Sequence, residues 1–406
     1  MTVATLSRGG LRRVLAVLCV TEIVSWGVLY YAFAVLGPSI AADTGWSIGA
    51  VTGAFSAGLV VSGLVGIPAG RWLDRIGPRP VMTAGSVLAV PAVVAIATAP
   101  SYGWFLAAWL LAGIAMAGTL YPPAFAALTR WWGARRVAAL TALTLAAGLS
   151  STVFAPLTAA LLEGADWRRT YLVLAVVLAV VTVPAHAVGL RGPWPAGDEG
   201  PAETPANGAA SVARSREFVL LTAAMTLATF AAYAVLVNQV PLLLERGLST
   251  AAAAWALGLG GAGQVAGRLL YGPIVRHTSV RARSIGLIGA CAVTIGVLGV
   301  VPGPAALLVA LAVLAGAARG LFTLLQATAV SDRWGSAQYG RLNGLMSAPT
   351  MIATAVAPWA GAALAVVLGS YAAVFGVLAA SAVVAALLVP RVTTKPPPAA
   401  RARPER

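Results

Sequence analysis

The 406-residue sequence predicts an all-α integral membrane protein, with twelve transmembrane helices in two pseudo-symmetric six-helix bundles. Three observations predict it. Hydrophobic residues make up 59% of the chain and charged residues only 10%, against about 25% charged in a soluble domain. Too few charges remain to coat a water-exposed surface, so much of the surface must face lipid. Apolar runs then recur along the whole chain, and many residues of the first half reappear in the second at one fixed offset.

The apolar runs lie at 14–37, 48–69, 81–99, 104–128, 137–161, 168–190, 217–241, 251–275, 284–301, 304–329, 341–366 and 370–390. A bilayer core needs about 20 apolar residues per helix, so each run is read as one span. The first is too long for a cleaved leader and is followed by further spans.

Orientation follows from the basic residues, which collect on the cytoplasmic side. Of the 27 Lys and Arg, 22 fall on one side: the N-terminus, alternate connections from Arg71 to Arg341, and the tail. Three (Arg168, Arg169, Arg246) fall on the other, and Arg268 and Arg319 lie inside spans. Both termini are therefore expected in the cytoplasm, which requires an even number of spans. Segment 191–216 is rich in Gly and Pro and carries Asp198, Glu199 and Glu203. Such a stretch buries too little apolar area to fold alone. The expected organisation is a first half at 1–190, a cytoplasmic linker at 191–216, a second half at 217–390 and a cytoplasmic tail at 391–406. Abundant alanine and arginine with one lysine suggest a bacterial chain, hence the inner membrane.

The halves overlay at an offset of 202 or 203. Tyr30, Pro38, Gly45 and Ser47 match Tyr233, Pro241, Gly247 and Ser249. Leu111-Ala112-Gly113 matches Leu314-Ala315-Gly316, and Arg130-Trp131 matches Arg333-Trp334. Two parallel repeats of six helices enclose a cavity at their interface, which rocking exposes to alternate sides.

The connection between spans 2 and 3 reads Gly70-Arg71-Trp72-Leu73-Asp74-Arg75-Ile76-Gly77-Pro78-Arg79. It resembles the signature of the major facilitator superfamily, with Pro78 in place of one basic residue. The resemblance implies a gate made by Gly70, Asp74, Arg75, Gly77 and Arg79 that steadies an outward-facing state. Physically, Asp74 can accept hydrogen bonds from a neighbouring helix end and pair with an arginine. The second copy, Gly272-Pro273-Ile274-Val275-Arg276, has Arg where Asp would stand, so its gate is expected to differ. Asp43-Thr44-Gly45-Trp46-Ser47, Trp131-Trp132-Gly133-Ala134-Arg135-Arg136 and Gly267-Arg268-Leu269-Leu270-Tyr271-Gly272 resemble the monocarboxylate and oxalate/formate branch. That branch carries small organic acids, often with a proton. Its lysine near the end of helix 1 and its acid in helix 8 are not seen; Leu257 stands at one place for the latter.

Charges at membrane depth are costly and usually face a cavity. Three lie well inside spans: Glu22, Arg268 and Arg319. A guanidinium binds a carboxylate bidentately, so Arg268 is the candidate substrate anchor, a role the resemblance also implies. The alternative is an arginine that snorkels to the interface. A carboxyl removed from water is costly to ionise, which makes Glu22 the candidate proton carrier; simple hydrogen bonding to a neighbouring helix is the alternative. Arg319 either adds to an anion-attracting field, pairs with Glu22, or packs between the halves. Tyr30, Tyr31, Asn238, Gln264 and Gln326 are candidates to line the cavity, although interhelical hydrogen bonding is the commoner use of such groups.

The expectation is a secondary active transporter working by alternating access as a monomer, carrying a small monocarboxylate or related organic anion linked to a proton. Proton-driven efflux of other compounds is the competing expectation. The glycine run at 258–267 follows no strand and reads as close helix packing rather than a nucleotide loop. No Walker sequence, nucleophile–base pair or metal-ligand cluster is present, so no enzyme, cofactor or metal is expected. Cys19 and Cys291 fall inside apolar runs, and His186 and His277 lack ligand neighbours. The arginines sit in short clusters between spans, which excludes a nucleic-acid surface.

Overall fold

The computed structural model describes residues 6–194 and 208–392. Twelve helical spans follow one another: α1 (Arg8–Thr44), α2 (Ile48–Ile76), α3 (Pro78–Ala97), α4 (Tyr102–Thr119, continued by Tyr121–Trp132) and α5 (Arg136–Gly148, continued by Ser150–Gly164). After α6 (Trp167–Gly189) come α7 (Arg216–Glu245), α8 (Thr250–His277), α9 (Val280–Val300), α10 (Ala305–Trp334), α11 (Tyr339–Leu368) and α12 (Tyr371–Leu388). Among the described residues, nine helical runs are long and apolar enough to cross a membrane, or ten with the bent α11. One of them, Tyr102–Gly164, is 63 residues long. At 1.5 Å per residue that would be roughly 95 Å, and it turns at Gly133–Arg135 into α4 and α5. With α8, the total is twelve.

The matched repeat residues are turn chemistry. Gly45 and Gly247 adopt φ of 72° and 79° where α1 and α7 end, a left-handed conformation that glycine reaches without strain. Ser47 and Ser249 then accept the backbone N–H of Ala50 and Ala252, capping α2 and α8. Close packing explains another matched pair. A Cβ at Gly113 would stand 2.1 Å from the Gly58 carbonyl, and one at Gly316 would stand 1.9 Å from the Gly260 carbonyl. Only glycine there lets α2 meet α4, and α8 meet α10, backbone to backbone. The 258–267 glycine run is thus in part a helix-packing face.

The buried core is divided unevenly. At the end of the bundle bearing most arginines, one cluster joins both halves, from Leu18, Leu73 and Leu140 to Tyr271, Phe322 and Tyr339. At the other end each half has its own cluster, and the first is touched from across by Ala355 and Met351 of α11. The halves therefore meet at the arginine-rich end and separate toward the opposite one. Large apolar side chains such as Val176, Val180, Val293 and Val366 cover the outside, as a lipid-facing surface requires.

Of segment 191–216, residues 195–207 lie outside the described residues. Its beginning, Arg191 to Trp194, packs against the bundle, and Gly208–Arg214 is helical. Most of the 391–406 tail also lies outside them.

Candidate functional site

Two breaks in helical regularity build a cavity between the halves. α1 widens into a π-turn at Gly27–Tyr31, a distortion frequent at functional sites. Gly27 permits it by close contact, because a Cβ there would sit 2.2 Å from the Phe154 ring. The turn displays Tyr30 and Tyr31, with Tyr30 edge-on to Trp26, Tyr31 and Phe55 at centroid distances of 5.2, 5.3 and 5.3 Å. α4 breaks at Leu120, whose backbone is extended. Pro122 and Pro123 restart it, lacking the N–H groups a continuous helix would use. The break turns Tyr121 toward Trp26 at 5.0 Å and stacks it on Phe125 at 4.8 Å.

The second half supplies the facing wall. Tyr233 of α7, the repeat partner of Tyr30, Gln326 of α10, and Asn343, Ser347, Thr350 and Thr354 of α11 line a cavity of about 100 Å³ with Trp26, Tyr30, Tyr121 and Phe125. Gln326 donates to the Thr229 hydroxyl at 2.6 Å, which fixes its amide. The walls are aromatic on one side and hydroxyl-rich on the other.

The two buried arginines do not line this cavity, but both lie within electrostatic range of Tyr233 in its wall. Arg268 is 3% exposed and donates through Nη1 to the Thr144 carbonyl of α5, while its Nε meets no acceptor. Arg319 is 9% exposed and closes its Nε and Nη2 on the Gln264 Oε1 at 3.1 and 3.0 Å. It does not pair with Glu22. Tyr31 and Tyr233 each lie within electrostatic range of both arginines, so cationic fields reach the tyrosine side of the cavity. Glu22 is fully buried one turn before Trp26, and neither carboxyl oxygen meets a hydrogen-bond partner. The Trp26 indole is near enough to interact with it, but outside hydrogen-bond geometry. Asn238 stands apart from this group: its amide donates to the Ala234 carbonyl at 2.8 Å and packs on Gly361.

The closed end is sealed by the 2–3 connection. Asp74 accepts the backbone N–H of Gly340 through Oδ1 at 3.0 Å and that of Arg341 through Oδ2 at 2.7 Å. It thereby caps the first turn of α11 from across the interface. Arg130 lies 3.8 Å from its Oδ1, and donates to the Asp74 carbonyl and to that of Ala337. A Cβ at Gly70 would stand 2.2 Å from the Gly340 carbonyl, so only glycine admits α11 there. Gly77 turns the chain at φ 80°. Arg79 donates to the Ala187 carbonyl at 2.8 Å, and Arg75 is exposed. Trp194 covers the arrangement: its indole donates to the Asp74 carbonyl at 3.2 Å, and its ring lies 4.7 Å from the Arg130 guanidinium.

The family model of the Major Facilitator Superfamily matches residues 18–308 and 279–406, nearly the whole chain. The chain belongs to the major facilitator superfamily. Solved structures agree on the fold: the superfamily transporter FucP in an outward conformation superposes with a TM-score of 0.74 at 13% identity, covering 94% of this chain and 99% of that one. The xylose symporter XylE superposes with a TM-score of 0.71 at 14% identity, covering 96% and 97%. Among curated relatives, monocarboxylate transporter 13 of Bos taurus is 30% identical over 61% of this chain and 56% of its own length. Monocarboxylate transporter 11 of Homo sapiens is 31% identical over 50% of this chain and 44% of its own. The chain thus matches about half the length of these two relatives.

Within this superfamily fold, the sequence pointed to Tyr30 and Gln326. It missed Trp26, Tyr121, Tyr233 (read only as the repeat partner of Tyr30) and the hydroxyl face of α11. That face was readable: Asn343, Ser347, Thr350 and Thr354 recur every three or four residues, a helical stripe.

Proposed function

We propose that the protein is a secondary active transporter that carries a small monocarboxylate or related organic anion together with a proton, by alternating access. The observation that carries this reading is the pair of buried arginines, Arg268 and Arg319, within electrostatic range of Tyr233 in the wall of the cavity between the halves. Buried cations are retained where they meet an anion, and a guanidinium suits a carboxylate. Glu22 is the coupling acid: a fully buried carboxyl without a protein partner has no structural reason to stay ionised. The monocarboxylate relatives support the branch and the substrate class. The arginine-rich end is cytoplasmic by the basic-residue rule, so the structure corresponds to an outward-facing or occluded state, with Asp74 closing the inner gate. One chain supplies both walls of the cavity, which supports a monomer as the working unit in a bacterial inner membrane.

On this reading Arg268 has two partners in turn. Its bond to the Thr144 carbonyl ties α8 to α5 and so holds the halves together. An arriving carboxylate competes for the same fork, which couples occupancy to rocking.

The test is uptake of labelled lactate and pyruvate into proteoliposomes under an imposed pH gradient, wild type beside Arg268→Ala. Gradient-driven uptake that is lost in the variant supports the reading. Absence of uptake by folded wild type removes these acids and moves the weight to proton-driven efflux of other compounds.

A further inference from the structure

A second cavity, of about 860 Å³, opens at the arginine-rich end between the halves. It is separate from the substrate cavity and shares none of its lining. Four arginines line it, Arg136 from the first half and Arg281, Arg283 and Arg333 from the second, against one carboxylate, Asp332. That carboxylate is fully used. Its Oδ1 accepts from Arg136 Nη2 at 2.7 Å, and its Oδ2 accepts from Arg283 Nη2 at 2.5 Å. Arg333 is held by the Ala329 carbonyl and the Ser284 hydroxyl. The Nε groups of Arg136 and Arg283 remain buried without an acceptor, and Arg281 is exposed at the rim. Ser279 adds a hydroxyl at the cavity wall.

We infer that this cavity is an effector site for a phosphate-bearing anion. A buried N–H without an acceptor is a rare and unfavourable arrangement, and two of them flank an excess of positive charge. A phosphoryl group supplies several acceptor oxygens and a compact double charge, which is what converging guanidinium forks recognise. Two sources share that chemistry: the headgroup of an anionic phospholipid, since basic pockets between spans on this side of a membrane hold such headgroups, and a soluble phosphate compound. Because Arg136 comes from one half and Arg281 and Arg283 from the other, the anion binds best when this end is closed. It therefore favours the closed arrangement by its differential affinity.

The test uses the full-length protein and thermal melting. In detergent, inorganic phosphate is titrated against chloride at equal ionic strength. In nanodiscs, phosphatidylcholine is compared with phosphatidylcholine containing phosphatidylglycerol. Arg281→Gln is the site variant; it is exposed and holds no described partner, so the fold does not depend on it. Arg8→Gln, exposed in the N-terminal turn and outside the cavity, controls for net charge. The expected result is a rise in melting temperature with one source, weakened about tenfold in apparent affinity by Arg281→Gln, the worth of one charge-assisted hydrogen bond, and unchanged by Arg8→Gln. A rise with phosphate in detergent identifies a soluble ligand, and a rise confined to phosphatidylglycerol identifies a headgroup. Equal responses to phosphate and chloride with none to phosphatidylglycerol, no response at all, or equal losses in the two variants overturn the inference.

Discussion

Asp74→Asn isolates the contact that joins the halves at the arginine-rich end, with little change of shape. The carboxylate accepts two backbone N–H groups at the start of α11 and faces Arg130 at 3.8 Å. Asparagine keeps one acceptor oxygen but turns an NH₂ toward the other N–H. One charge-assisted hydrogen bond is lost, worth about 1.5–3 kcal/mol, and the negative charge at a helix N-terminus goes with it, worth about 0.3–1 kcal/mol. The Asp74 side chain is 17% exposed, and solvent screening trims the sum to about 2 kcal/mol. These bonds join the two halves, so they stabilise only the state in which this end is closed. The variant should therefore move the closed-to-open equilibrium about 30-fold toward opening at the arginine-rich end.

Spin labels at Ile76 and Arg276 report that end, and labels at Trp104 and Leu307 report the other; all four positions are exposed. The native Cys19 and Cys291 are first replaced. In Asp74→Asn the first distance should lengthen in a larger fraction of molecules while the second shortens. Distance distributions identical to wild type at both pairs would refute the reasoning, because the two helix-capping bonds would then contribute nothing specific to this state.

The remaining predictions follow from single contacts. Trp194→Ala removes the indole bond to the Asp74 carbonyl and the ring over Arg130; the same label pairs should shift in the same direction, by about 1 kcal/mol. Combined with Asp74→Asn, its effect should be less than additive, since both act on one contact network. Glu22→Gln should lower gradient-driven uptake at least about tenfold while leaving substrate exchange without a gradient, because it keeps the shape and removes the titrating group; equal losses in both assays would deny it a coupling role. Gly316→Ala should lower the melting temperature through about 1–3 kcal/mol of overpacking against the Gly260 carbonyl, whereas Gly258→Ala, with open space around it, should not.

The fold was legible in the sequence because a bilayer leaves few solutions: each span must satisfy its own backbone, and each polar interruption marks a turn. The repeat residues were legible for a further reason. Gly45 and Gly247 need positive φ, and Gly113 and Gly316 need the absence of a Cβ, so no other residue serves in either half. The Asp74 contact was half legible, since the motif suggested a helix end and an arginine without naming Gly340, Arg341 or Arg130. The cavity was less so. Tyr30 reaches it through a π-turn, which shifts side chains off the regular 3.6-residue spacing that a sequence reading assumes, while Tyr31 on the same turn does not line it. Tyr121 reaches it through a break at Leu120 that two prolines only hint at. Asn238 was polar and mid-span, yet it bonds its own helix, the commoner fate of such residues. Trp194 was hidden by its place in a Gly- and Pro-rich segment, because composition averages over a stretch and the contact belongs to one residue.

The two halves share their turns but not their cross-half contacts at the arginine-rich end, and the difference has a physical logic. In the first half the carboxylate of Asp74 leaves the end of α2 and caps the start of α11. The matching place in the last turn of α8 holds Arg276, which cannot accept those N–H groups. The second half instead offers Asp332, at the end of α10, to Arg136 in the first turn of α5, and braces it from behind with Arg283. The cross-half link is thus a side-chain ion pair where the first half has a backbone cap. A backbone cap fixes position and direction of the partner helix, whereas an ion pair at 25% exposure of the arginine tolerates displacement and is screened by salt. The Asp74 side of this contact therefore sets the register in which the halves meet, and the Asp332 side is the one that ionic strength can tune.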